Sequence, residues 1–268
     1  MSDGDHKKPE EDEGMTIWEH LEELRSRVIR MLLAFLVGSI AAWTQKETLL
    51  KLLAKPFVDA WAHGQHAASA AFYFPAPAAL FIAYIKLSIM AGLIVAMPFI
   101  LWQIWSFIAP GLYSKEKRFA IPFVVSSCLL FALGAYFSWR IVAPAAFNFF
   151  LNLSPGQLGD IEVKPNIMIG EYIEFVTHLL VAFGVVTELP IVIFFLTVSG
   201  IVTPRQLLKF FRYFLVIDFI VAAIITPPDV LSQLMLAIPL AFLYLFSVGV
   251  AWLFARKKAE PPPAEGAT

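Results

Sequence analysis

Six apolar blocks punctuate the chain: Val28–Trp43, Leu80–Ile108, Phe119–Ala143, Phe175–Val202, Phe211–Ile225 and Leu231–Phe254. An α-helix rises about 1.5 Å per residue and the bilayer hydrocarbon is about 30 Å thick, so about 20 apolar residues cross it. Backbone polar groups in lipid must be satisfied inside a helix or a closed barrel, and the alternation of a barrel is absent. The blocks therefore predict an all-α, polytopic membrane protein with six transmembrane helices. The composition agrees, with 59% hydrophobic and only 15% charged residues. That excludes a soluble enzyme domain and disorder over most of the length. The lone Cys128 excludes an internal disulfide and any multi-cysteine metal or redox site.

Prolines and charges organise these blocks. Pro98 and Pro190 fall inside the two longest, where a missing N–H and a ring clash bend a helix. The fifth block reaches only about 23 Å and stops at Thr226-Pro227-Pro228-Asp229. Fourteen of the twenty basic residues fall in the tails and loops of one side, which places both termini in the cytoplasm. Residues 1–14 and 256–268 read as disordered cytoplasmic tails around a membrane domain spanning 15–255. On the outer side, Leu49–Lys55 is amphipathic and is expected to form a surface helix ending at Pro56. Residues 144–170 are expected to form the second outer loop. The net charge of −1 gives no reason to expect a nucleic-acid partner.

Few residues could carry chemistry. Glu23 stands four residues before Arg27, which on spacing alone reads first as an ordinary exposed helical ion pair; the alternative is an acidic site for a cationic partner at the membrane face. Glu116 is a lone acid among Lys115, Lys117 and Arg118, which on spacing alone reads first as a local ion pair. Glu188 lies near the middle of the fourth block. An ionisable group at that depth must face a polar cavity or a partner, with either a structural or a functional purpose. Asp218, inside the fifth block, could pair with Arg212 or reach toward the interface. The histidines are scattered, the tryptophans Trp43, Trp102, Trp105, Trp139 and Trp252 sit where an interfacial belt would be, and no phosphate-loop, metalloprotease or serine-hydrolase motif occurs. No metal or cofactor is expected.

Over residues 16–255 the chain resembles the TatC subunit of the twin-arginine protein translocase. The resemblance rests on His20-Leu21-Glu22-Glu23-Leu24-Arg25 and on Phe107-Ile108-Ala109-Pro110-Gly111-Leu112-Tyr113 with Glu116. It continues through Ala182-Phe183-Gly184 with Glu188 and Pro190, then Thr226-Pro227-Pro228-Asp229-Val230 with Gln233 and Leu236-Ala237-Ile238-Pro239.

The resemblance implies a concave, glove-like six-helix fold and a non-enzymatic receptor. Such a receptor binds twin-arginine signal peptides of folded precursors. It works in a multi-copy complex with single-span TatA- and TatB-type partners, driven by the proton-motive force across the cytoplasmic membrane. Glu23 and Glu116 match the acids of the signal-peptide site, with Arg25, Phe107 and Tyr113 near it. Glu188 matches the family's intramembrane polar residue, and Pro56 and Asp229 match outer-loop positions. Asp218 departs from the family pattern and takes no role from it. A proton-coupled small-solute transporter using Glu188 is the competing reading. Transporters usually show paired repeats around a midplane site, and this chain shows none.

Overall fold

The computed structural model describes residues 17–63, 70–108, 120–153, 157–158, 161–162, 165–226 and 230–254. Both expected tails, Tyr113, Glu116 and Asp229 lie outside the described residues. Among the described residues, apart from one two-residue ladder and an isolated bridge between Tyr73 and Met168, the regular elements are helices. They are α1 (Ile17–Thr44), α2 (Lys46–His63), α3 (Pro77–Ile108), α4 (Ala120–Phe137), α5 (Ala143–Leu153), α6 (Ile169–Val186), α7 (Leu189–Val198), α8 (Pro204–Ile225) and α9 (Val230–Phe254). The ladder pairs β1 (Gln157–Leu158) with β2 (Ile161–Glu162) in antiparallel register. Among the described residues five helical stretches are long and apolar enough to cross a membrane: 18–44, 77–108, 121–153, 169–198 and 233–254. Helix α8 has 22 residues but carries Arg205, Lys209, Arg212 and Asp218, a charge load that keeps it out of that set.

Helices α1 and α3 lie side by side and antiparallel. Their backbones meet where two glycines face each other. A Cβ added to Gly38 would sit 2.8 Å from the Gly92 carbonyl oxygen, and one on Gly92 would overlap the Ser39 main chain. Lipid is as apolar as the side chains it touches, so such close contact is what holds helices together there. Helix α1 is otherwise weakly covered, with Leu33, Val37 and Ile40 all exposed.

At the far end of α1 the chain turns into α2. This helix does not end at Pro56, as the sequence suggested, but continues to His63 with Pro56 inside it. Proline cannot donate to the carbonyl four residues back, here Leu52. The Trp139 indole N–H supplies the missing donor at 3.2 Å. One residue on, the Tyr172 hydroxyl donates to the Leu53 carbonyl at 2.6 Å. Phe57, fully buried, packs on Phe72, Phe147 and Tyr172. An aromatic cluster thus anchors α2 across the far end of the bundle.

The second expected outer loop is shorter than 144–170, because helix continues to Leu153. The continuation passes through a π-helical turn, Ser138–Val142, closed by the Ala143 N–H on the Ser138 carbonyl. Pro144 cannot donate to Arg140, and the wide turn accommodates that missing bond without ending the helix.

The fourth block is not one kinked helix but two, α6 and α7, separated at Thr187–Glu188. Pro190 stands in the first turn of α7, where a missing N–H costs nothing. Helix α6 therefore closes early, with the Glu188 N–H on the Val185 carbonyl at 3.0 Å. The Thr187 hydroxyl lies within hydrogen-bond distance of the Leu130, Phe183 and Gly184 carbonyls. Gly134 of α4 is the seat for Thr187, since a Cβ there would overlap it. Helix α8 begins at a capping box between Thr203 and Gln206 and packs along α9. The Tyr244 hydroxyl reaches the Leu207 carbonyl at 2.9 Å, and the Gln233 amide reaches the Phe219 carbonyl at 2.8 Å.

The α1–α3 contact leaves no room for a side chain at its glycines. Gly92→Val is expected to lower stability by about 1–3 kcal/mol through overpacking. Gly249→Ala, which meets open space, should not. Thermal unfolding of the purified protein in detergent reads the difference, and equal midpoints for the two variants would contradict the packing described.

Candidate functional site

Glu23 sits on the second turn of α1, facing the last turns of α3. Arg27, one helical turn further, donates to Glu23 Oε1 from Nε at 2.9 Å and from Nη2 at 2.6 Å. The same guanidinium reaches across to α3. It contacts Gln103 Oε1 at 3.2 Å and the Ser106 carbonyl at 3.2 Å. Glu23 Oε2 is buried and has no hydrogen-bond partner among the described residues. His20 Nδ1 lies 4.0 Å from that oxygen, and the His20 ring stacks on Phe107 with centroids 4.4 Å apart. On α1 itself an open surface depression of about 460 Å³ is lined by Glu19, Glu22, Glu23, Ser26, Arg27 and Arg30. The junction presents a partly buried carboxylate beside an aromatic plate, a pairing suited to a planar cation.

The structure brings Glu23 and Phe107 to one junction. Arg25 is exposed, and two residues along a helix turns it away from Glu23. Tyr113 and Glu116 fall within 109–119, which follow α3 in sequence and lie outside the described residues. Pro56 lies at the opposite end of the bundle, in α2.

Glu188 occupies the break between α6 and α7 and is 9% exposed. Neither carboxylate oxygen completes a well-formed hydrogen bond among the described residues. Ser127 and the Phe131 main chain of α4 lie beside the group. Ser127 is fully buried, and its hydroxyl oxygen accepts the Trp105 indole N–H at 2.7 Å. The indole uses a lone pair, which leaves the Ser127 O–H free to turn toward Glu188. Trp105 thereby departs from the expected interfacial belt: it is buried, and packs against Phe123 and Phe195.

Asp218 does not pair with Arg212. Six residues along a helix place two side chains on different faces, and Arg212 instead donates to the Tyr213 hydroxyl at 2.8 Å. Asp218 is 4% exposed, and its Oδ2 has no partner among the described residues. Away from the Glu23 end, Lys86 of α3 pairs with Glu174 of α6 at 2.5 Å. Sequence reasoning gave no purpose to Arg27 beyond a helical pair, and none to Gln103, Ser106 or Ser127. The four-residue spacing of Glu23 and Arg27 was visible, but what each touches on α3 is a tertiary fact.

A family profile described as Sec-independent protein translocase protein (TatC) matches residues 19–239. The chain is 42% identical over 246 residues to the TatC protein of Aquifex aeolicus, covering 92% of this chain and 98% of that one. It is 40% identical over 248 residues to the TatC protein of Desulforapulum autotrophicum, covering 92% and 88% respectively. Among solved structures, a crystal structure of the twin arginine translocase receptor TatC is similar with a TM-score of 0.80 and 42% identity. It covers 89% of this chain and all of the other. Specific local sequence blocks, a matching helical fold and matching length converge on one result. The chain belongs to the TatC family, the Sec-independent protein translocase proteins.

Proposed function

We propose that this TatC protein is the core receptor of a twin-arginine translocation system in the cytoplasmic membrane. It binds twin-arginine signal peptides of folded precursor proteins and passes the cargo on, without enzymatic chemistry, a cofactor or nucleic acid. The observation that carries the proposal is the half-buried Glu23 carboxylate at the α1–α3 junction, with one oxygen unpaired among the described residues and the His20 ring, itself stacked on Phe107, 4.0 Å from it. A guanidinium directs its N–H donors at a carboxylate from a rigid plane, which a lysine ammonium cannot imitate. Glu116 supplies the second carboxylate from the segment after α3, one acid for each arginine. Basic residues around them repel cations generally, so only a paired, directional contact holds a signal there.

In this reading α8 is a sixth crossing packed along α9. Its 22 residues reach about 33 Å, longer than the fifth apolar block alone, because the helix begins at Pro204. Both termini face the cytoplasm. The bias of basic residues toward one side supports that orientation. TatA- and TatB-type single-span proteins join in a multi-copy complex, and the proton-motive force drives passage. Glu188, a carboxylate at the α6–α7 break, takes part in translocation rather than in signal binding. Pro56 and Asp229 belong to the outer surface, where Pro56 frees a carbonyl that ties α2 to Trp139.

Replacing either acid by alanine should weaken binding of a labelled twin-arginine signal peptide by at least about tenfold, the loss of one charge-assisted contact. The protein should still insert and purify normally. Full-strength binding by the Glu23→Ala/Glu116→Ala double variant would sink the acidic-site reading. Glu188→Ala should leave that binding intact and slow export of a folded reporter in cells. Wild-type export rates in this variant would mean that Glu188 is structural.

A further inference from the structure

Arg27 holds Glu23 in an unusual manner. In an exposed helical pair, two flexible side chains share one solvated contact. Here the Arg27 side chain is only 17% exposed, and its guanidinium is gripped from both helices. Nε and Nη2 both donate to Glu23 Oε1, at 2.9 and 2.6 Å. The rest of the group is spent on α3: Nη1 on Gln103 Oε1 at 3.2 Å, and Nη2 on the Ser106 carbonyl at 3.2 Å. Gln103 is itself buried, so this anchor has little freedom to move.

The consequence lies in which oxygen is used. Both contacts from Arg27 fall on Oε1. Oε2 is buried and without a hydrogen-bond partner among the described residues, and the His20 ring nitrogen stands off at 4.0 Å. A buried carboxylate oxygen left unpaired is costly, and it gains by receiving an N–H donor. The carboxylate is therefore held by one oxygen and unsatisfied at the other.

We infer that Arg27 is a positioning residue for the receptor carboxylate: it fixes Glu23 through Oε1 and leaves Oε2, which the junction encloses, to be satisfied by the guanidinium of a signal peptide as it enters. The inference rests on the reading of Glu23 as the acceptor of a signal arginine. It adds where the selectivity for arginine arises. A carboxylate whose plane is fixed favours a rigid, planar donor, whereas a freely rotating one accepts an ammonium almost as well. Lysine cannot replace Arg27, because one ammonium cannot reach Glu23, Gln103 and Ser106 together.

The test uses the full-length protein in detergent and two fluorescent peptides with the same apolar stretch, one preceded by paired arginines and one by paired lysines. Arg27→Lys and Arg27→Gln should each weaken binding of the arginine peptide about tenfold while changing the lysine peptide little. The Glu23→Ala/Arg27→Gln variant should bind no worse than Glu23→Ala alone, since Arg27 acts only through Glu23. Unchanged or tighter binding of the arginine peptide by Arg27→Lys overturns the inference. So does an equal loss for both peptides, the mark of a merely structural residue, and so do additive losses in the double variant. Arg27→Lys keeps the charge and carries the test if Arg27→Gln fails to insert. If Glu23→Ala itself binds the arginine peptide like wild type, the reading of Glu23 as acceptor fails and takes the inference with it. Weak binding by Glu23→Ala beside normal binding by Arg27→Lys removes the inference alone.

Discussion

The close approach of α1 and α3 at Gly38 and Gly92 sets up the rest of the molecule. Only backbones in contact bring the second turn of α1 within side-chain reach of Gln103, Ser106 and Phe107. The contacts that tie the Glu23 junction to α3 cross that seam: Arg27 to Gln103, Arg27 to Ser106, and His20 on Phe107. Bulk between the helices would push them apart by more than a hydrogen bond tolerates. The carboxylate would then be an ordinary charge on an exposed helix.

The last turns of α3 look in two directions. Gln103, Ser106 and Phe107 meet α1 on one side. Trp105 turns the other way and donates to Ser127 of α4, beside which Glu188 lies. Two incompletely satisfied carboxylates are therefore arranged around one helix end. Glu23, at the junction with α1, is paired through Oε1 and unsatisfied at Oε2, and Glu188, across α4 at the α6–α7 turn, is unsatisfied at both oxygens among the described residues. Burying a polar group in this state costs stability, so two such sites in one region are arrangements that function would have to maintain.

Much of the architecture was legible in the sequence because it follows from one-dimensional rules. Apolar block length marks the crossing helices, and Pro190 marks a disturbance beside Glu188. What stayed hidden depends on which helices touch. Pro56 read as a stop, yet the helix runs through it because Trp139 satisfies the carbonyl it frees. The disturbance expected at Pro190 falls just before it, as the Thr187–Glu188 turn between α6 and α7, where Thr187 has a seat on Gly134. Trp105 looked interfacial because it is a tryptophan near a helix end, but its indole found Ser127. Glu23 and Glu188 stood out as candidates, the first through its motif and the second through the depth of a charge. Arg27 did not, since a four-residue spacing describes an ordinary ion pair equally well.

The central claim is that a signal arginine meets the protein at the α1–α3 junction. Photo-cross-linking tests it most directly, with a photoreactive residue placed at position 107 and, in a second variant, at position 174 near the opposite end of the bundle. A labelled twin-arginine signal peptide should attach at 107, and the attachment should disappear when its paired arginines are replaced by lysines. Attachment at 174 with none at 107, or attachment at 107 indifferent to the arginines, would contradict the account.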